Sequence, residues 1–357
     1  MAQPLPRPGI LDIKPYIGGE GRVEGVTQLT RLASNENALG CSPLAREAYL
    51  KCAGDLFRYP DGSVSELRGA LGKTYDMNPD RIICGSGSEE LISLLVRAYA
   101  GVGDEVLFPQ YGFLMYPICA KAVGATPVTA PEKDFRTDVD ALLKAVTSKT
   151  KMLLLANPNN PTGSYIGRDE LKHLCSKLPS NILVLLDSAY AEFVREKDYS
   201  DGRDMVDAHP NVVMLRTFSK IYGLAALRLG WGYCSPEVAG VVNRVRGAFN
   251  VNAPAQAAGV AALNDKDFLK RTLEMTDTGR KYLTENIAAL GYRVLPSVAN
   301  FLLVEFGPKA EEIRVALKDK GIFIRQMGAY NLPHHLRVTV GTAEDNKRVI
   351  EALKSLR

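Results

Sequence analysis

The chain has 357 residues, 46% of them hydrophobic and 24% charged, with a formal net charge of +4 from 44 basic and 40 acidic side chains. No basic block or interleaving of aromatics with cations tracks a phosphate backbone, so nucleic acid is excluded as a partner. The longest apolar runs, 152–156 and 182–186, are far shorter than the roughly 20 residues of a membrane-crossing helix, so no membrane span is expected.

The N-terminus, MAQPLPRPGI, carries three prolines and no apolar core of a signal peptide, so a cytoplasmic location is expected. The six cysteines form no CxxC pair, and the four histidines show no ligand spacing beyond the adjacent His334 and His335, so reduced thiols and no metal site are expected. Residues 1–32 have too few apolar positions for a core of their own. They read as an arm that packs on the C-terminal unit or on another subunit.

From residue 81 onward, short apolar runs alternate with helical patterns, the signature of βα units feeding a parallel sheet. Strands are expected at 81–84, 105–108, 126–129, 151–156, 182–187, 212–216 and 229–234. The runs at 152–156 and 182–186 lack period-two alternation, as strands covered by helices on both faces should. After Pro254 the texture changes to long helical patterns, clearest at 267–290, followed by apolar runs at 300–306, 322–325 and 336–340 and a last helix from Ala343. The fold class is therefore α/β. A large domain at 33–250, with a mostly parallel seven-stranded sheet, is joined to a smaller α+β domain at 251–357, and the arm joins the latter.

Four motifs carry chemistry. CGSGSEELISLLVRAY follows a strand and opens a helix, but Glu90 stands where a dinucleotide fingerprint needs its third glycine. What remains is a glycine turn presenting the backbone N–H groups of Gly87, Ser88 and Glu89 at a helix N-terminus, which suits one phosphate. LANPNNPTG lies just past a buried strand, and Asn160, held out of the helical region by Pro161, can project a fixed amide. In VLLDSAYAEF, Asp187 ends a buried strand and needs a protonated partner, with Tyr190 three residues on. TFSKIYGLAALRLGW sets Lys220 among small and apolar residues with no neighbouring acid. A nucleophilic lysine must shed a proton near neutral pH, which takes desolvation or nearby positive charge such as Arg228. Bonding of Lys220 to an aldehyde cofactor would remove the ammonium group, and Thr217, Ser219 and Arg228 would then share the cofactor phosphate with the turn at Gly87.

These parts occur in the order found in enzymes that use pyridoxal 5′-phosphate (PLP). The sequence resembles the fold-type I aminotransferases and, within them, the histidinol-phosphate aminotransferase family. RLASNENALG, FRYPDG, GSGSEELI, FPQYGFLMY, NPNNPTG, LLDSAYAEF, RTFSKIYGLAALRLGW, FNVNAPAQAA and LRVTVGT follow that family's order along almost the whole chain.

The resemblance implies that Lys220 bonds the cofactor, Asp187 pairs with its ring nitrogen, and Asn160 and Tyr190 hold its ring hydroxyl. Tyr111 would stack on the ring, and Tyr59 would reach the cofactor phosphate of the neighbouring subunit in a homodimer. Arg337 would grip the anionic end of the substrate, helped by Arg325 and Tyr16, with Asn35 lining the cleft. Alanine in NENALG and serine in DSAY replace the proline and glutamate of many relatives. The implied reaction moves an amino group from histidinol phosphate to 2-oxoglutarate in histidine biosynthesis. An aromatic amino-acid or dual-specificity aminotransferase, a PLP-dependent decarboxylase of threonine phosphate and a non-catalytic interaction module of the same fold stand as alternatives.

Overall fold

The computed structural model describes residues 4–19 and 29–356. Its strands are, in chain order, β1 (Thr30–Leu32), β2 (Ile82–Gly85), β3 (Glu105–Pro109), β4 (Thr126–Ala130), β5 (Glu132–Lys133), β6 (Arg136–Thr137), β7 (Thr150–Ala156), β8 (Leu183–Asp187), β9 (Val212–Thr217), β10 (Gly230–Tyr233), β11 (Arg293–Val294), β12 (Phe301–Glu305), β13 (Ile322–Gln326) and β14 (His335–Thr339). Seven of them form one sheet in the order β2-β10-β9-β8-β7-β3-β4, matching the seven strands expected from the sequence to within one or two residues at each end.

The sheet is parallel from β9 through β8, β7 and β3 to β4, and β10 runs antiparallel to both its neighbours. Register then decides where the site lies. Ala156 pairs with Asp187, and Asp187 with Leu215, while Gly230 pairs with both Gly85 and Thr217. The ends of β2, β7, β8 and β9 and the start of β10 therefore meet along one edge, where ligands gather in open α/β sheets.

Helices cover both faces. Leu153 and Leu155 of β7 point into one buried cluster and Met152, Leu154 and Ala156 into another, which is why this strand is apolar throughout. Ala255, Ala258 and Ala262, on the helix Ala253–Asn264, join the first of these clusters, and that helix packs on Pro43–Lys51 and Ser65–Tyr75. Gly259 permits the approach, since a Cβ there would lie 2.6 Å from a methyl of Leu229.

A second sheet has the order β1-β13-β14-β12-β11, with β1 parallel to β13. Leu336 and Val338 of β14 enter its core with Leu302, Ile324 and Ile350, which leaves Arg337 and Thr339 on the opposite face. The 24-residue helix Lys266–Ala289, capped by Asp265 accepting from the Phe268 N–H, spans both cores. Leu269 and Leu273 pack on the first, and Leu283 and Ile287 lie in the second. No helix among the described residues is long and apolar enough to cross a membrane.

Candidate active site

A cavity of about 300 Å³ opens at the shared strand edge, between it and the outward face of β14. One end is a cation-rich turn. After β2 the chain turns through Gly87, at φ +86°, into the helix Ser88–Tyr99. The turn sits directly on β10, because a Cβ on Gly230 would lie 2.1 Å from the Ser88 nitrogen. Arg228, in the left-handed region at φ +54°, brings its guanidinium beside Gly87. Its Nη1 donates to the Ala225 carbonyl at 3.1 Å and its Nη2 lies 3.9 Å from Glu89 Oε2. Thr217 and Ser219 complete this end, the Ser219 N–H donating to Thr217 Oγ1 at 3.1 Å. Unpaired helix N–H groups, two hydroxyls and a guanidinium fit a phosphate.

The floor is Asp187. Its Oδ2 accepts from the Tyr116 hydroxyl at 3.2 Å, while its Oδ1 is buried with no hydrogen-bond partner. Burial pushes its carboxyl up to about 6, against the opposing influence of Tyr116, the Ala189 N–H and the Lys220 charge. A buried carboxylate oxygen without a donor is costly, and a protonated ring nitrogen is the donor that this geometry lacks.

Lys220 lies on the wall, donating to the Ser34 carbonyl at 3.0 Å, with its Nζ 5.7 Å from the centre of the Tyr190 ring. Its amine is lowered to about 8, first by desolvation and then by Arg337 and Arg228, with Glu36 and Asp187 opposing. In space, then, two arginines act on Lys220 against two acids, and burial decides the direction. Tyr190 is buried, accepts from Asn35 Nδ2 at 2.9 Å and packs edge-on to Phe301, and burial pushes its hydroxyl up to about 12.

Arg337 occupies the opposite end, fully enclosed. Its Nη2 donates to the Ala33 carbonyl at 2.8 Å and its Nη1 to Asn160 Oδ1, while its Nε has no partner. Burial lowers its affinity for its proton, though an arginine stays charged. Asn160 thus spends its oxygen on Arg337 and keeps its NH₂ to donate. Asn35 is held at φ +55° by Thr339, whose Oγ1 accepts its N–H at 3.0 Å. Arg325 donates to the Ile17 carbonyl and stacks 5.6 Å over Tyr16, and both line the cavity.

Three expected residues are not on this wall. Gly87 shapes the turn behind it. Tyr59 is 83% exposed and stacks on Phe249 at 4.7 Å, away from the cavity of its own chain. Tyr111 stacks on Phe135 at 5.5 Å in a cluster with Leu295, Met327 and Tyr330, while Phe113 lines the cavity. Between the two lies the turn after β3, closed by Gly112 N–H to Pro109 carbonyl at 2.8 Å. Phe113 was missed; just ahead of the helix Met115–Ala122, it packs edge-on at 5.9 Å against Tyr116, the tyrosine that binds Asp187. Glu36 and Ser34 were also missed, since neither carries a distinctive spacing.

The family described as aminotransferase class I and II matches residues 27–353. Histidinol-phosphate aminotransferases of Paramagnetospirillum magneticum and Rhodospirillum centenum are each 52% identical to the chain, covering 99% of it and 99% and 98% of their own lengths. The crystal structure of the histidinol-phosphate aminotransferase from Sinorhizobium meliloti in complex with pyridoxal-5′-phosphate superposes with a TM-score of 0.91 at 30% identity, covering 100% of this chain and 99% of that one. A mutant aspartate aminotransferase of Thermus thermophilus, at 22% identity and a TM-score of 0.86 over all of both chains, shares the fold. With a family match spanning nearly the whole sequence and relatives at half identity end to end, the chain belongs to the class I and II aminotransferases.

Proposed function

We propose that this aminotransferase uses PLP to move the amino group of histidinol phosphate to 2-oxoglutarate, giving imidazole acetol phosphate and glutamate, a step of histidine biosynthesis. The observation that carries the reading is the unpartnered Asp187 Oδ1 at the floor of a cavity that also holds an amine lowered to about 8 and a phosphate-sized cation turn. The 52% identical relatives support the choice of substrate. Bound PLP would supply an aldehyde that takes up the amine and a ring that accepts electrons from the α-carbon.

The residues divide the remaining tasks. Asp187 would keep the ring nitrogen protonated, Asn160 and Tyr190 would hold the ring hydroxyl, and Phe113 would cover the ring. Gly87, Ser88, Glu89, Thr217, Ser219 and Arg228 would hold the phosphate. Lys220 would shuttle the proton at the substrate α-carbon as a neutral amine, a role for which a pKa near the working pH is best. Arg337, with Arg325 and Tyr16, would bind the substrate phosphate and the acceptor carboxylate in turn, since a guanidinium fork fits either oxyanion.

The same reading makes the enzyme a cytoplasmic homodimer of chains divided at 1–32, 33–250 and 251–357. Exposed Leu50, Leu56 and Phe57 precede the exposed Tyr59 in an apolar stretch that a second copy would cover, with Tyr59 reaching the partner's phosphate site. The test is a half-reaction screen of the PLP-loaded protein against histidinol phosphate, phenylalanine, tyrosine and threonine phosphate, with borohydride trapping and peptide mapping. Fast turnover of histidinol phosphate and a label on Lys220 are expected. A preference for the aromatic amino acids would make it an aromatic aminotransferase, and a label elsewhere would end the assignment of Lys220.

A further inference from the structure

Beneath the site, on the side away from the cavity, lies a buried charge cluster with no part in the chemistry proposed above. Arg216, the penultimate residue of β9, is 3% exposed. Its Nη2 and Nε reach Glu192 Oε1 at 2.8 and 3.2 Å, and its Nη1 reaches Asp201 Oδ2 at 2.7 Å. The guanidinium lies 4.8 Å from the ring centre of Tyr75 and 5.6 Å from that of Trp231. Glu192 Oε2 has no other partner, so Arg216 is what balances this carboxylate.

Each group in the cluster is tied to a turn that carries a site residue. Glu192 follows Tyr190 by two positions. Asp201 accepts at its carbonyl from the hydroxyl of Ser188, which follows Asp187, at 2.7 Å. Tyr75 links Glu192, at 3.5 Å, to the hydroxyl of Tyr222, two residues past Lys220. Arg216 itself immediately precedes Thr217. One cation thus joins the turns after β8 and β9, whose relative placement sets how Lys220 stands to Asp187 and Tyr190. A lysine there could not make these contacts together, because it lacks the planar fork.

We propose that Arg216 is a positioning residue for amino transfer: through Glu192, Asp201 and Tyr75 it fixes the turn bearing Lys220 against the turn bearing Asp187 and Tyr190. The proposal rests on the function given above. Misplacement by even about 1 Å is enough to slow a reaction roughly a hundredfold, so the effect should fall on turnover rather than on substrate binding.

The test uses the full-length, PLP-loaded enzyme and the variants Arg216→Lys, which keeps the charge, and Tyr75→Phe, which keeps the ring. Ile287→Val, in the core of the second sheet, serves as a control that lowers Tm alone. The pH midpoint of the bound cofactor's visible absorbance, which reports the environment of the Lys220 nitrogen, is read together with kcat and KM for histidinol phosphate. Arg216→Lys should cut kcat at least tenfold, leave KM within threefold and move the midpoint by half a pH unit or more. Tyr75→Phe should do the same to a smaller extent, near threefold in kcat, and Ile287→Val should leave kcat and midpoint at parental values. A folded Arg216→Lys with parental kcat and midpoint overturns the proposal, and Tyr75→Phe decides in the same way where Arg216→Lys does not fold. A parent enzyme without a cofactor band would instead remove the underlying reaction.

Discussion

The two ends of the cavity are built differently. The cofactor end is made by neighbouring strands, with Gly87, Asp187, Lys220 and Arg228 within a few residues of the paired ends of β2, β8, β9 and β10. The anion end is made by Arg325 and Arg337, register partners on β13 and β14 of the second sheet, and by Tyr16 of the arm. The first end is rigid by hydrogen-bonded register. The second has its arginines in register too, but its distance from the first rests on how the second sheet and the arm pack, and its Tyr16 is half exposed. Under the proposed function, chemistry that tolerates little displacement would sit on the first sheet, while recognition, which must fit two different anions, would sit on the adaptable side.

Substitutions at the two ends should therefore fail in different ways. The largest effect is expected for Lys220→Ala, a loss of roughly a thousandfold or more in kcat with the fold intact, as removal of a general base implies. Near-parental single-turnover rates would show that another group moves the proton. Asp187→Ala should follow at about 10²- to 10³-fold in kcat, with weaker cofactor binding. Arg337→Ala should instead raise KM for histidinol phosphate and glutamate together by about 10- to 100-fold, the value of a charge-assisted contact, and steady-state kinetics with both donors would check it. Because Arg337 also depresses the Lys220 amine, the same variant should move the alkaline midpoint of the cofactor-free lysine upward.

The floor offers a stability test of opposite sign. Asp187 is raised from 3.8 to about 6 in the folded chain, so its favourable contribution is complete below pH 4 and is lost as pH rises through about 6. Near pH 7 the ionised carboxylate should cost the cofactor-free protein up to about 3 kcal/mol. Cofactor-free Asp187→Asn should accordingly melt above the parent at pH 7, with the gap closing toward pH 4. The smallest effect separates two aromatics. Phe113→Leu should weaken PLP binding by about 2- to 10-fold, and Tyr111→Phe should leave it unchanged, as read by fluorescence titration.

The sequence by itself determined the seven strands, the glycine turn, Asp187, Tyr190 and Lys220, because these signals are local: an apolar run of strand length, a glycine at a forced φ, a charge at the end of a buried strand. It also limited the alternatives, since Glu90 in place of the third glycine weighed against a dinucleotide site. Only tertiary structure decided that Phe113 lines the cavity while Tyr111 stacks on Phe135, because Phe135 comes from a hairpin more than 20 residues further along the chain. It also decided why an isolated lysine can lose its proton: burial desolvates Lys220, and Arg337, 117 positions away in the chain, adds to this only once β14 is laid beside the site. Arg216 taught the same lesson from beneath: in RTFSK it reads as an ordinary residue at a strand end, and its partners Glu192, Asp201 and Tyr75 become visible only when three turns close over one buried cation.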